Sequence, residues 1–234
     1  MQINHSEKRL KRFYGDIARL QNRDIINLIT GEKILDIGSG YGDLVNQIKQ
    51  EKNNSNIIGI DIDKNASKIA KSLYDLKILD MSAFKIEFPD NYFDTVILRE
   101  VIHHLMPQDN LKLALKEIKR VCKKELIIFD PNPNWIVRLS RKIIRHSDPE
   151  APLEIVIKVL KDSGFEIKHC KWRDVIAFPL SGGFVSREIV PNISFFKKMI
   201  IRFDSLLNII LSTLCLQKYF CWRYLIFATK VEAS

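Results

Sequence analysis

Two kinds of apolar pattern alternate along this chain. Short apolar runs, several closed by an acidic residue, predict strands at 33–37, 56–60, 76–79, 95–98, 125–129, 165–172 and 222–229. Between them, apolar positions recur at helical spacing. The first such stretch, 5–29, carries Leu10, Phe13, Ile17, Leu20, Ile25, Leu28 and Ile29. Further helices are predicted at 44–50, 65–73, 109–122 and 152–163, the last followed by Gly164 in the place of a C-cap. Alternation of strand and helix over most of the chain predicts an α/β fold, a parallel sheet with helices on both faces.

The first strand ends in Asp36-Ile37-Gly38-Ser39-Gly40-Tyr41-Gly42, with a helix beginning directly after. Glycine at alternate positions strips a turn of side chains and lets a ligand approach the main chain. In open α/β sheets such a loop, at the carboxyl end of a strand, is where ligands bind. The spacing is D-x-G-x-G-x-G, which differs from the G-x-G-x-x-G of dinucleotide folds. Asp61 ends the second strand about twenty residues further on, where a carboxylate can accept hydrogen bonds from both hydroxyls of a ribose. Loop and acid at this separation are more specific than either alone.

The loop resembles motif I of the class I S-adenosylmethionine (SAM) dependent methyltransferases. The order of glycine loop, Asp61, Asp80, the Phe93-Asp94 strand start and His103-His104-Leu105 is similar to the small-molecule branch that includes ubiquinone and menaquinone methyltransferases. The resemblance covers 33–175 and resumes at 222–229. It implies a seven-stranded, mostly parallel Rossmann-like sheet in a single domain spanning 1–234, with its core at 30–175 and 222–230. It also implies SAM as cofactor, held by Asp36, Gly38, Gly40, Gly42, Asp61 and Ile62, with Asp80 meeting the adenine amino group and the Met81 N–H meeting the ring. The N-terminal helix would lie over the pocket, with Tyr14 facing it or packing beneath. His103 and His104 border the methyl-transfer position in such enzymes. An imidazole there can take a proton from an acceptor hydroxyl, and the competing reading of both histidines is structural. Asp130-Pro131-Asn132-Pro133-Asn134-Trp135 is similar to the D/N-P-P-aromatic motif of amino-group methyltransferases, but stands one strand late and lacks adjacent prolines, and reads as a turn.

Charge narrows the acceptor. Of the net +9, residues 131–234 carry +7 (16 Lys and Arg against 9 Asp and Glu). A basic second half suits an anionic substrate, an anionic membrane surface or nucleic acid, or only a solvated surface. Arg138, Arg141, Lys142 and Arg145 fall on one face of a predicted helix, with Ile136, Leu139, Ile143 and Ile144 as its apolar complement. Residues 176–221 are too long for a hairpin and contain an apolar helical stretch from about 195 to 220. This insertion is expected to form a helical cap before the last strand, its stripe of Phe195, Met199, Phe203, Leu206, Ile210 and neighbours lining the site. The competing expectation is that the stripe packs on the sheet.

The four cysteines form no C-x-x-C pair, so no metal site is expected. The polar start of the chain and the lack of a run of about 18 apolar residues give the expectation of a cytoplasmic protein, with peripheral membrane contact as the variant. The reading that follows is methyl transfer from SAM to O, C or N of a small, partly hydrophobic or lipid-like acceptor. Its competitors are an RNA or protein methyltransferase using the basic half, nucleic acid being the less favoured partner, and a non-catalytic SAM-binding partner subunit.

Overall fold

The computed structural model describes residues 12–53, 55–145, 148–185 and 189–231. The apolar runs form seven strands: β1 (Lys33–Ile37), β2 (Asn56–Asp61), β3 (Ile78–Asp80), β4 (Phe93–Arg99), β5 (Cys122–Pro131), β6 (Phe165–Arg173) and β7 (Arg223–Lys230). They make one sheet in the order β3-β2-β1-β4-β5-β7-β6. The first five pair in parallel, and β7 runs antiparallel between β5 and β6. The helices are α1 (Phe13–Ile26), α2 (Asp43–Glu51), α3 (Ala66–Tyr74), α4 (Gln108–Val121), α5 (Trp135–Ile144), α6 (Leu153–Asp162), α7 (Ala177–Leu180), α8 (Ser194–Thr213) and α9 (Gln217–Phe220). The predicted start of the first helix, 5–11, lies outside the described residues.

Successive residues of a strand point to opposite faces, and here each face has its own core. Leu35 and Ile37 pack with Leu111 and Leu115 of α4 and Val156 of α6. Ile34, just before them, packs on the other side with Ile25 of α1, Ile48 of α2 and Ala70 of α3. Burial on both faces explains why these strands read as continuous apolar runs. From β1 the chain steps one way to β2 and β3, and returns to the other side at β4. The order therefore reverses between β1 and β4, and their carboxyl ends flank the crevice where such sheets bind ligands.

The 176–221 insertion folds as α7, α8 and α9. Phe178 of α7 joins Phe13, Ile17, Val137, Ile200 and Trp222 in a small third core at the edge of the sheet. The predicted apolar stripe of α8 behaves differently from expectation. Only Ile200 of this helix is buried, while Phe195 is 71% and Ile209 64% exposed, and Met199, Phe203, Leu206 and Ile210 are exposed as well. The cause lies in its polar positions. Asp204 Oδ1 accepts the N–H groups of Val175, Ile176 and Ala177 at 2.9, 2.6 and 2.8 Å. Asn208 donates to the Trp172 carbonyl at 3.1 Å, and Lys197 pairs with Asp16 at 2.6 Å. These bonds turn the polar side inward and the stripe outward. Each large apolar side chain left in water forgoes about 1.5–3 kcal/mol that burial would contribute.

Candidate functional site

The glycine loop is tied to the end of the neighbouring strand. Gly38 and Ser39 N–H both donate to the Ile60 carbonyl, at 2.9 and 3.0 Å. Gly38 has φ +70°, and a Cβ there would stand 2.4 Å from Val101 Cγ2, so the position is closed to any side chain. Gly40, at φ +52°, is different: a Cβ would meet nothing within 4 Å. The space above Gly40 is open, and a side chain would fill it.

Asp61 faces this loop. Its Oδ2 accepts the Gly40 N–H at 2.7 Å and its Oδ1 the Asp63 N–H at 2.8 Å, leaving each oxygen a further lone pair. Asp80 stands beside Asp61 in strand register, exposed at the strand end. Ile62, 73% exposed, follows Asp61 directly. The Met81 N–H is engaged already, donating to the Asp61 carbonyl at 3.2 Å, so it is not free to meet an adenine ring as expected from sequence.

Deeper in the crevice, two buried polar atoms lack hydrogen-bond partners among the described residues: Asp36 Oδ1 and Arg99 Nε. Burial pushes the Asp36 carboxyl up to about 7, against the pull of nearby Arg99. Arg99 Nη2 is held by Gln21 Oε1 at 3.2 Å. Native interiors rarely leave such atoms unpaired. One of them is an acceptor suited to an ammonium and the other a donor suited to a carboxylate, which an amino-acid zwitterion supplies together. Open space above Gly40, a ribose-height carboxylate and this unmet pair fit SAM as a whole.

Beyond Arg99 the chain enters a 3₁₀ turn, Ile102–Leu105, that separates the adjacent histidines. His103 is buried and His104 exposed, with ring centroids 4.0 Å apart. Asp130, fully buried at the end of β5, grips His103 twice. Its Oδ2 accepts the His103 backbone N–H at 3.2 Å, and both its oxygens lie 3.1 Å from Nδ1. Burial pulls the imidazole pKa down, but Asp130 outweighs it, aided by Glu100, and the net shift is upward. For His104, burial and the charge of His103 lower it. His103 Nε2 points away from Asp130, 4.0 Å from Asp148 Oδ2. Ligand atoms of His103, His104 and Asp148 lie within 4.8 Å of one another, close enough to share a divalent cation, a grouping that no sequence spacing announced.

His103 lines a cavity of about 370 Å³ with Glu100, Arg141, Phe178, Phe184 and Trp222. Tyr14 also lines it, in place of the cofactor pocket that the sequence reading had it face, whereas Phe13 is core. None of the described lining residues comes from α8, so the expected apolar lining is supplied by α7 and Phe184 instead. Arg223 closes one wall. It donates to Glu100 Oε1 at 2.6 Å and stacks its guanidinium 4.1 Å over the Phe178 ring. Burial raises the Glu100 carboxyl, but Arg223, Arg99 and His103 prevail and hold it below the usual range. Glu100 itself has φ +60°, a conformation that few non-glycine residues adopt.

Residues 35–129 match the family model of a methyltransferase domain. The loop, the paired strand-end acids and the unmet Asp36 and Arg99 atoms all lie within this stretch. Residues 35–129 are a methyltransferase domain of the kind that uses SAM as its cofactor. An uncharacterized protein of Methanocaldococcus jannaschii is 30% identical over 156 residues, 58% of each chain. A ubiquinone/menaquinone biosynthesis C-methyltransferase of Paraburkholderia phytofirmans is 31% identical over 117 residues, 47% of each chain. Thus the chain spans only about half the length of the curated relatives it matches. A SAM dependent methyltransferase from Archaeoglobus fulgidus shares the fold, with a TM-score of 0.66 at 20% identity, covering 92% of this chain and 94% of that one. The seven-stranded architecture read from the sequence is the methyltransferase fold. Sequence reasoning missed Arg99, Glu100, Asp130 and Arg223. Asp130 had a signal, since like Asp36, Asp61 and Asp80 it is an acid closing an apolar strand.

Proposed function

We propose that this chain transfers a methyl group from SAM to O, C or N of a small acceptor with an apolar body and a polar or anionic head, met at a membrane surface from the cytoplasmic side. Its single strongest support is the cavity beside the cofactor crevice: Phe178, Phe184 and Trp222 form apolar walls, while Arg141 and His103 offer a cation and an imidazole. Asp36 and Arg99 would hold the amino and carboxylate groups of SAM, Asp61 the ribose, and Ile62 and Asp80 the adenine edge. The Gly38–Gly42 backbone gives the cofactor room. SAM brings an electrophilic methyl carried on a sulfonium, so the hard chemistry is its own.

The protein's part is to position and to exclude water, which can contribute as much as ~7–11 kcal/mol in favourable cases. Asp130 holds His103 so that Nδ1 donates to its carboxylate and Nε2 is left as acceptor toward the cavity. For an acceptor whose attacking atom still bears a proton, His103 Nε2 takes that proton. Asp130 is a positioning residue, and the Arg223–Glu100 pair keeps the wall opposite rigid.

A pH dependence follows for the cofactor. Only the ionised Asp36 carboxylate accepts from an ammonium, so SAM affinity should rise by about tenfold from about pH 6 to about pH 8, through the Asp36 value of about 7. Asp36→Asn should flatten that profile. Calorimetry across this range checks it, and an affinity independent of pH in the wild type would detach Asp36 from the ammonium.

The reaction itself is tested by incubating the protein with methyl-labelled SAM and separate lipid, polar-metabolite and RNA fractions from cells. The label is expected in the lipid fraction or in an apolar metabolite. Label found in RNA alone would overturn the acceptor class.

A further inference from the structure

The geometry points to a docking surface for an anionic lipid bilayer, built from the outer faces of α5, α8 and α9. Docking itself does not depend on methyl transfer. Only the acceptor's route into the cavity rests on the proposed function.

Three observations carry it. First, the two segments form one continuous apolar surface. On α5, Trp135, Leu139 and Ile143 are exposed, Ile143 by 72%. The Trp135 ring meets Phe220 of α9 edge-on at 6.2 Å, and the Asn132 side chain donates to the Lys218 carbonyl at 2.9 Å. From there Tyr219 and Leu214, both exposed, lead onto the outer face of α8.

Second, five cations stand exposed on this apolar surface, Lys142, Arg145, Lys198, Arg202 and Lys218, while Arg138 pairs with Glu150, Lys197 with Asp16, and Arg141 turns to the cavity. Residues 135–145 hold four cations and no acid. Residues 194–220 hold four cations and one acid, so the two segments carry +7 of the chain's +9. The single acid, Asp204, is turned inward onto three backbone N–H groups. An apolar face interleaved with lysine and arginine is what an interfacial helix presents to lipid, its side chains entering the acyl boundary while its cations meet headgroups. No described helix is long and apolar enough to cross the membrane, so the contact lies in the interface plane.

Third, charge selects the occupant. A second copy docking the same patch about a two-fold axis would bring these cations against themselves. An anionic bilayer offers the opposite sign together with an apolar interior.

The surface also reaches the site. While Leu139 and Ile143 face out, Val137, Ser140, Arg141 and Ile144 of the same helix line the cavity. An acceptor with its tail in the bilayer would pass one helix wall to reach His103, its anionic head meeting Arg141.

Vesicle flotation of the full chain tests this, using phosphatidylcholine alone and phosphatidylcholine with about a third phosphatidylglycerol as the anionic lipid. Two double variants at exposed positions leave the crevice untouched: Phe203→Ser with Leu206→Ser, and Lys198→Glu with Arg202→Glu. The wild type should float with the anionic vesicles, and less so as salt rises. The charge variant should lose about thirtyfold in partitioning, roughly fivefold per cation near the surface, and the apolar variant should lose binding through the apolar area it no longer inserts. SAM affinity by calorimetry should be the same in all three proteins. Failure of the wild type to bind anionic vesicles, or variants that float as it does, would overturn the proposal. So would light scattering that shows a dimer dissociated by the apolar variant without vesicle binding, since a second copy would then be the occupant. Intact flotation with no SAM binding would count against the methyl-transfer reading and leave docking standing.

Discussion

Asp61→Ala is expected to weaken SAM binding by about ten- to a hundredfold, the equivalent of about 1.5–3 kcal/mol for a hydrogen-bonding charged group. Two losses combine in this variant. The ribose hydroxyls lose their acceptor, and the Gly40 N–H loses the 2.7 Å bond that ties the loop to the end of β2. The fold should survive, because Asp61 stands at a strand end and outside both main cores. Calorimetric titration gives the affinity and thermal melting the stability. Asp61→Asn separates the two losses, since the amide oxygen can still hold the Gly40 N–H but carries no charge. An affinity equal to the wild type in Asp61→Ala would place the ribose at another strand.

His103→Ala should lower turnover by about a hundred- to ten-thousandfold for an acceptor that must lose a proton, with SAM affinity nearly unchanged. The pH profile distinguishes a base from a packing residue. A base works when neutral, so wild-type turnover should rise with pH through the His103 pKa, which Asp130 holds above its ordinary value. Asp130→Asn removes that charge. The midpoint should then move to lower pH while the maximal rate falls, because the ring also loses its anchor. His104→Ala, on the exposed side of the turn, should cost much less. Chelators decide the competing use of this cluster: a base acting as free imidazole leaves turnover insensitive to EDTA, whereas an ion shared by His103, His104 and Asp148 would not. Full turnover in His103→Ala would leave the reaction without need of an imidazole.

Much of this was legible in the chain, for physical reasons. The predicted strand at 33–37 matches β1 residue for residue, because a strand buried on both faces admits few polar residues and its end is marked by Asp36 and the glycines. The helix predicted at 65–73 lies one residue from Ala66–Tyr74. The loop and Asp61 meet as their spacing implied, since β1 and β2 are sequential neighbours in the sheet.

What was not legible depends on long-range contact. Asp130 and His103 are 27 residues apart, and Glu100 and Arg223 are separated by 123. The β5 strand begins at Cys122, earlier than its apolar run, because Cys122 pairs with Phe93 across an irregularity that carries the exposed Lys123 and Lys124. For α8, the periodicity reported how much apolar surface the helix has. It could not report which way the helix turns, since Asp204 and Asn208, with partners outside the helix, decide that. A hydrophobic stripe states a need for cover and leaves the cover unnamed.

The central claim, that the crevice between β1 and β4 is a SAM site, is tested most directly by titrating the wild-type protein with SAM and, separately, with NAD. Saturable SAM binding at one site per chain, with no heat from NAD, is the predicted result. Tight NAD binding with no response to SAM would contradict it.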